Sequence, residues 1–325
     1  AELQERLSQP DCRLLTILGP GGSGKTRLAL EVAQSKRETF RHGVFFVPLN
    51  PLQSSASIAP AVVDALDLSG GEGDDHNQQL ANYLRDKDLL LVLDGFEHLL
   101  DGSGLVTEIL HQAAGLKILV TTRTRLNLKA ENLYLLDGMR YPQEDAPAAE
   151  IRESDAVQLL IAGLRRTYPG YEPSPADLND LRRVCQQVLG MPLGILLASS
   201  WGGTLKVQEI AGMVSQSLDF LVANWGDLPE RQRSLRATFD YSWNLLSERQ
   251  QTIFQGLSVF RGPFTRRAAR AVSEANPYEM RDLMDRSLLW HKSPGWYEVH
   301  ELLRQYGREK LAGQAAVERE VNDRH

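Results

Sequence analysis

Eight consecutive residues, Gly19-Pro-Gly-Gly-Ser-Gly-Lys-Thr26, place four glycines, a lysine and two hydroxyls in one short loop. A backbone so free of side chains can wrap a phosphate with its N–H groups turned inward. A lysine at the seventh position reaches β- and γ-phosphates, and the hydroxyl after it ligates Mg²⁺. The apolar run Leu14–Leu18 precedes the loop and the helical pattern Arg27–Ala33 follows it. That strand–loop–helix order is what a Walker A motif requires, and the helix N-terminus adds partial positive charge to the same place. Gly19, Pro20, Gly21, Gly22, Ser23, Gly24, Lys25, Thr26 and Arg27 are therefore the expected nucleotide-binding positions.

A second group of residues has the chemistry to act on a bound nucleotide. Leu89-Leu-Leu-Val-Leu-Asp94 is an apolar run that ends in one carboxylate. A buried strand delivering an acid at its C-terminal end is a Walker B, with Asp94 holding Mg²⁺ through water; the alternative is a core strand that ends in Asp by chance. Hydrolysis also needs a group to orient water. Gly95 follows Asp94, so the nearest acid is Glu97, which either orients water or is a solvated acid at a helix start. Lys117-Ile-Leu-Val-Thr-Thr-Arg123 is another apolar run with a polar end. In a parallel sheet that end shares an edge with the phosphate loop, so Arg123 either senses a γ-phosphate or is an ordinary surface arginine. Lys25, Asp94, Glu97 and Arg123 are the catalytic candidates, and Thr26 with Asp94 the Mg²⁺ pair. His300-Glu-Leu-Leu-Arg304 begins like a zinc-protease helix, but Arg304 stands where the second histidine belongs, so a zinc site is rejected. No Ser/His/Asp constellation sits on a nucleophile elbow.

These residues must be positioned by a fold, and the chain suggests which. Residues 1–142 alternate helical patterns with strand candidates at Leu14–Leu18, Val44–Pro48, Leu89–Leu93, Ile118–Thr121 and Leu133–Leu136. Such alternation predicts a parallel, doubly wound α/β sheet. Ser69-Gly-Gly-Glu-Gly-Asp-Asp75 reads as a mobile connector. Residues 143–227 read as helical: a capped start at Ser154, a breaker at Tyr168–Pro175, an amphipathic run Leu178–Leu189 stopped by Gly190, and Pro192 opening the next helix. From 228 the pattern is helical again, with short runs at Leu288–Trp290 and Tyr297–Val299 around Lys292-Ser-Pro-Gly295, the outline of a winged helix. At 325 residues three domains fit easily. Net charge is −6, divided as −4 for 1–142, −5 for 143–227 and +3 for 228–325, so no global basic field invites nucleic acid. Cys12 and Cys185 have no metal-ligand spacing and read as reduced thiols of a cytoplasmic protein. No apolar stretch approaches a membrane span, and the N-terminus is no signal peptide. Ala1 opens inside a helical pattern without a start Met and His325 ends inside another, so a fragment of a longer chain is expected.

Six signals in order carry a resemblance: the Walker A loop, Leu91-Val-Leu-Asp-Gly-Phe-Glu-His98, Val120-Thr-Thr-Arg123, Gly190-Met-Pro-Leu193, Leu257-Ser-Val-Phe-Arg-Gly-Pro-Phe264 and Val299-His-Glu-Leu-Leu-Arg-Gln-Tyr-Gly307. In this the chain resembles the nucleotide-binding oligomerisation module of STAND ATPases, and within them the NB-ARC-type bacterial transcriptional regulators with tetratricopeptide sensors. The resemblance covers nearly the whole chain. It implies a P-loop domain (1–142), a helical domain (143–227) and a winged-helix domain (228–325). It implies that Pro192 packs on adenine, that Arg123 is the sensor arginine, and that His300 reaches the β-phosphate of ADP. It implies a slow ATPase switch, closed with ADP and self-associating with ATP, with sensor and effector domains outside this stretch. The chain departs from the pattern at Gly95, where an acid or Asn often stands, at Val299-His-Glu301, and in lacking the usual Gly-Arg-Glu element upstream. The alternative is an AAA+-like DNA-loading ATPase using Phe264-Thr-Arg-Arg-Ala-Ala-Arg270 on phosphates. A solvated helix face is the plainer account of those arginines, so direct DNA binding is not expected. A metabolic kinase lacks a substrate-pocket motif.

Overall fold

A computed structural model describes residues 2–68, 75–223 and 233–325. Most of the Ser69–Asp75 connector and the expected boundary at 227/228 lie outside the described residues. The chain forms two compact units, Ala1–Gly19 with Lys25–Leu136, and Pro20–Gly24 with Asp137–His325.

The first unit is a five-stranded, all-parallel sheet: β1 (Leu14–Leu18), β2 (Val44–Pro48), β3 (Leu89–Asp94), β4 (Leu116–Thr122) and β5 (Glu131–Leu135), in the order β2-β3-β4-β1-β5. All residues of β1 and β3 are buried, as expected for strands covered by helices on both faces. Period-two alternation sorts their side chains. Leu89, Leu91, Leu93, Ile118 and Val120 join one core with α3 (Ile58–Ala65), α4 (His76–Leu84) and α5 (Ser103–Gln112). Leu90, Val92, Leu15, Ile17 and Leu119 join the opposite core with α1 (Glu2–Ser8) and α2 (Lys25–Ser35). The edge strand β5 begins two residues before its expected start, because Glu131-Asn-Leu-Tyr-Leu135 is half-exposed and shows no apolar run. Strand β4 extends through Lys117, whose ammonium donates to the Leu7 and Gln9 carbonyls, both at 2.6 Å. Burial lowers the affinity of that amine for its proton.

The second unit is mainly helical: α6 (Ala148–Glu153), α7 (Asp155–Thr167), α8 (Asp177–Gln187), α9 (Pro192–Ser199), α10 (Val207–Gln216), α11 (Leu235–Asn244), α12 (Glu248–Leu257), α13 (Arg266–Ser273), α14 (Pro277–Asp285), α15 (Glu301–Ala312) and α16 (Ala315–Arg324). A small antiparallel sheet, β6 (Phe264–Thr265), β7 (Trp290–Ser293) and β8 (Trp296–Glu298), runs in the order β6-β8-β7. Helix α7 buries Ala156, Val157, Leu160, Ile161 and Leu164, the spacing of one helical face. Helix α9 opens on Pro192 at its first turn, where the missing N–H costs no hydrogen bond. Ser247–Gln250 and Asn276–Glu279 form reciprocal capping boxes, and such caps stabilise a helix start by about 1 kcal/mol each. One apolar core runs from Ile151 to Tyr306. Leu288 and Leu289 belong to that core, and β7 starts at Trp290 instead of the expected Leu288.

Candidate nucleotide site

The carboxyl ends of the central strands meet in register: Leu18 faces Thr122 across β1 and β4, and Asp94 faces Thr121 across β3 and β4. At that edge Asp94 is 4% exposed and gathers three donors. Thr26 Oγ1 donates to its Oδ1 at 2.7 Å, Thr121 Oγ1 donates to the same oxygen at 2.6 Å, and Asn50 Nδ2 approaches Oδ2 at 3.4 Å. The Lys25 ammonium donates to the Gly19 carbonyl at 2.9 Å. Thr121 also accepts from the Gly95 N–H at 3.0 Å, which pins the turn after β3.

Sequence reasoning had Thr26 and Asp94 as the Mg²⁺ pair, and the fold joins them directly. It missed Thr121 and Asn50. Thr121 was hidden inside a strand run, and Asn50 carried no signal beyond an Asn-Pro turn. Gly95 has φ +85°, and a Cβ there would lie 2.3 Å from Asn50 Oδ1. The space where an adjacent acid would project is thus filled by the Asn50 amide. Glu97 is not a solvated acid, being 7% exposed, and Arg123 is no surface arginine, at 8%. They pair with each other at 3.2 Å.

The loop residues Pro20–Gly24 belong to the second unit. The Leu193 N–H donates to the Gly22 carbonyl at 3.2 Å. Gly22 has φ +83°, and any Cβ there would come within 2.9 Å of Leu193 Cβ. A Cβ on Gly24 would meet Pro192 Cγ at 3.7 Å, so Pro192 lies against the loop. Ser23 is 3% exposed, and its buried hydroxyl has no hydrogen-bond partner among the described residues.

His300 stands at the start of α15 and lines a cavity of about 1060 Å³ within the second unit, together with Arg140, Arg261, Trp290 and Arg304. The residue is only half-buried as a whole, yet both ring nitrogens are shielded from solvent and, among the described residues, without hydrogen-bond partners. Burial pushes its pKa from 6.5 down to about 4, with Glu301 opposing. The Trp290 ring lies 5.7 Å away, and its indole N–H donates to Asp137 at 2.9 Å.

The donor set fits a nucleotide and a hard cation. A positively charged lysine and a glycine-rich loop suit phosphate, and a hydroxyl beside a buried carboxylate suits Mg²⁺. Among the described residues no cluster of three His, Cys, Asp or Glu could cage a metal unaided.

Comparison with known families bears on the nucleotide alone. Residues 1–130 match the NB-ARC domain model. This stretch is an NB-ARC domain. A putative HTH-type transcriptional regulator of Mycobacterium tuberculosis is 31% identical over 324 residues, covering 96% of this chain and 35% of that protein. The regulatory protein AfsR of Streptomyces griseus is 28% identical over 333 residues, covering 94% of this chain and 31% of AfsR. The chain thus spans about a third of the length of these curated relatives. A STAND protein with a tetratricopeptide repeat sensor from Pyrococcus horikoshii is 18% identical with TM-score 0.38, covering 95% of this chain and 42% of that one. Aeropyrum pernix ORC2 is 12% identical with TM-score 0.48, covering 93% and 88%. Likeness this distant assigns no residue a role.

Proposed function

We propose that this NB-ARC-type module is a signalling switch set by adenine nucleotide: closed with ADP, self-associating with ATP, and hydrolysing slowly. Residues 1–142 serve as the P-loop domain, 143–227 as the helical domain and 228–325 as a winged helix. The observation that carries the reading is the Asp94 cluster, where the loop hydroxyl of Thr26 and the strand-end hydroxyl of Thr121 converge on one buried carboxylate. Lys25 would hold the β- and γ-phosphates, with Gly19–Thr26 and Arg27 around them. Thr26 and Asp94 would hold Mg²⁺, partly through water, and Mg²⁺ would draw charge from the phosphates during hydrolysis. Pro192, packed on Gly24, would cover the adenine side. Glu97 would orient the attacking water, Arg123 would sense the γ-phosphate, and His300 would reach the β-phosphate of ADP.

The winged-helix assignment is supported by the order α12-β6-α13-α14-β7-β8 and by the sheet order β6-β8-β7. The names of the relatives support a place in a larger bacterial transcriptional regulator, with sensor and effector domains elsewhere. No described helix is long and apolar enough to cross a membrane, and a cytoplasmic site of action is proposed. Lys25→Ala removes the cation that partners phosphate inside the loop. The purified variant should lose its adenine nucleotide on dialysis, as read by chromatography of the denatured protein. Nucleotide content equal to wild type would defeat the P-loop role of Lys25.

A further inference from the structure

Glu97 was expected to orient water and Arg123 to sense the γ-phosphate, yet in the structure they engage each other. Glu97 Oε1 lies 3.2 Å from Arg123 Nε, with side chains 5% and 9% exposed. Topology brings them together: Glu97 follows β3 by three residues, Arg123 directly follows β4, and these strands pair with Asp94 opposite Thr121. Charges withdrawn from water this far are costly unless paired, so each holds the other in place. The pairing is incomplete, however. Among the described residues Glu97 Oε2 is buried with no hydrogen-bond partner, although a guanidinium and a carboxylate can engage through both oxygens.

We propose that Glu97 is a specificity-determining residue: it competes with the γ-phosphate for Arg123 and thereby sets the preference for nucleoside triphosphate over diphosphate. This rests on the nucleotide reading above. A diphosphate offers no γ-oxygens, so Arg123 stays with Glu97. A γ-phosphate brings about two negative charges and three acceptor oxygens, against one charge and two oxygens on Glu97. The preference for triphosphate is then the difference between two charge-assisted pairs, and the unsatisfied Oε2 weakens the Glu97 side of the exchange. Glu97 shares with Arg123 a pair that only the triphosphate can replace.

The test uses the 325-residue chain with Mg²⁺ and calorimetric titration of ADP and of a non-hydrolysable ATP analogue. Glu97→Gln removes the competing charge and keeps the shape. The analogue-to-ADP affinity ratio should rise on the order of tenfold, with ADP affinity close to wild type. In the double variant Glu97→Gln/Arg123→Gln that gain should vanish, because the residue competed for is gone. A ratio unchanged or lowered by Glu97→Gln, or a gain that survives in the double variant, overturns the proposal. Should Glu97→Gln fail to fold, the Arg123 Nε–H resonance of the wild-type chain decides instead. It should move with the analogue and stay in place with ADP; movement with both or with neither overturns the competition. Wild-type chain that binds neither nucleotide overturns the nucleotide reading itself, and this proposal with it.

Discussion

His300 shows how much one buried ring can report. Burial holds it neutral, with a pKa near 4 where a free imidazole titrates at 6.5. Between those values the unfolded chain binds a proton that the folded chain does not, so stability falls as pH drops from 6.5 toward 4 and is unaffected above. A phosphate at the ring would reverse the balance, since a nearby anion favours imidazolium. ADP should therefore move the His300 titration midpoint up toward 6.5, and its affinity should rise as pH falls below neutrality. Histidine NMR with and without ADP measures this directly. A midpoint that ignores ADP would make His300 a core histidine and no phosphate contact. His300→Ala should flatten the acid-side loss of stability in either case, which separates folding from binding.

At the level of elements, the turn after β3 explains the departure at Gly95. Positive φ there is cheap only for glycine, and Asn50 fills the space beside it. Gly95→Ala should cost about 1–3 kcal/mol from backbone strain, with a further loss from displacing the Asn50 amide. Adding Asn50→Ala should recover the steric part alone, as judged by urea unfolding of the three variants. Full recovery would mean that φ carries no strain, and no loss at all would mean that the turn is soft. With no acid adjacent to Asp94, steady-state hydrolysis should stay below the ~1 s⁻¹ low end of ordinary enzymes. Glu97→Gln should lower it again if the released carboxylate orients water, even while preference for bound triphosphate rises. Tens of turnovers per second, indifferent to that substitution, would contradict the slow-switch reading.

For the whole molecule, the switch predicts a change of assembly. The chain should run as a monomer with ADP and as a larger species with a non-hydrolysable ATP analogue, as seen by light scattering after gel filtration. Equal mass in both would remove self-association from the reading. The DNA-loading alternative makes the opposite demand on the last hundred residues. Helix α13 does expose Arg266, Arg267 and Arg270. Helix α14, the third helix in the winged-helix order, carries Glu279, Asp282 and Asp285 against Arg281 alone, which repels phosphate. Duplex binding should be weak and without sequence preference at about 0.15 M salt. Tight binding that falls steeply with added salt would favour the alternative.

The P-loop, the strand carrying Asp94 and the parallel sheet were legible in the sequence because each is a local pattern: a fixed spacing, a buried apolar run, a strand–helix alternation. Helix α9 was legible from Gly190 and Pro192 for the same reason, and β5 was found but placed two residues late, because an edge strand is only half-buried and its first residues carry no such run. What surrounds Asp94 was another matter. Thr26, Asn50, Asp94 and Thr121 lie on different segments, and only the register of β3 against β4 and the order of the strands bring them to one carboxylate. The pairing of Glu97 with Arg123 is decided in the same way. Their types suggested water orientation for one and γ-phosphate sensing for the other, but two opposite charges placed on adjacent strand ends, away from water, find each other first.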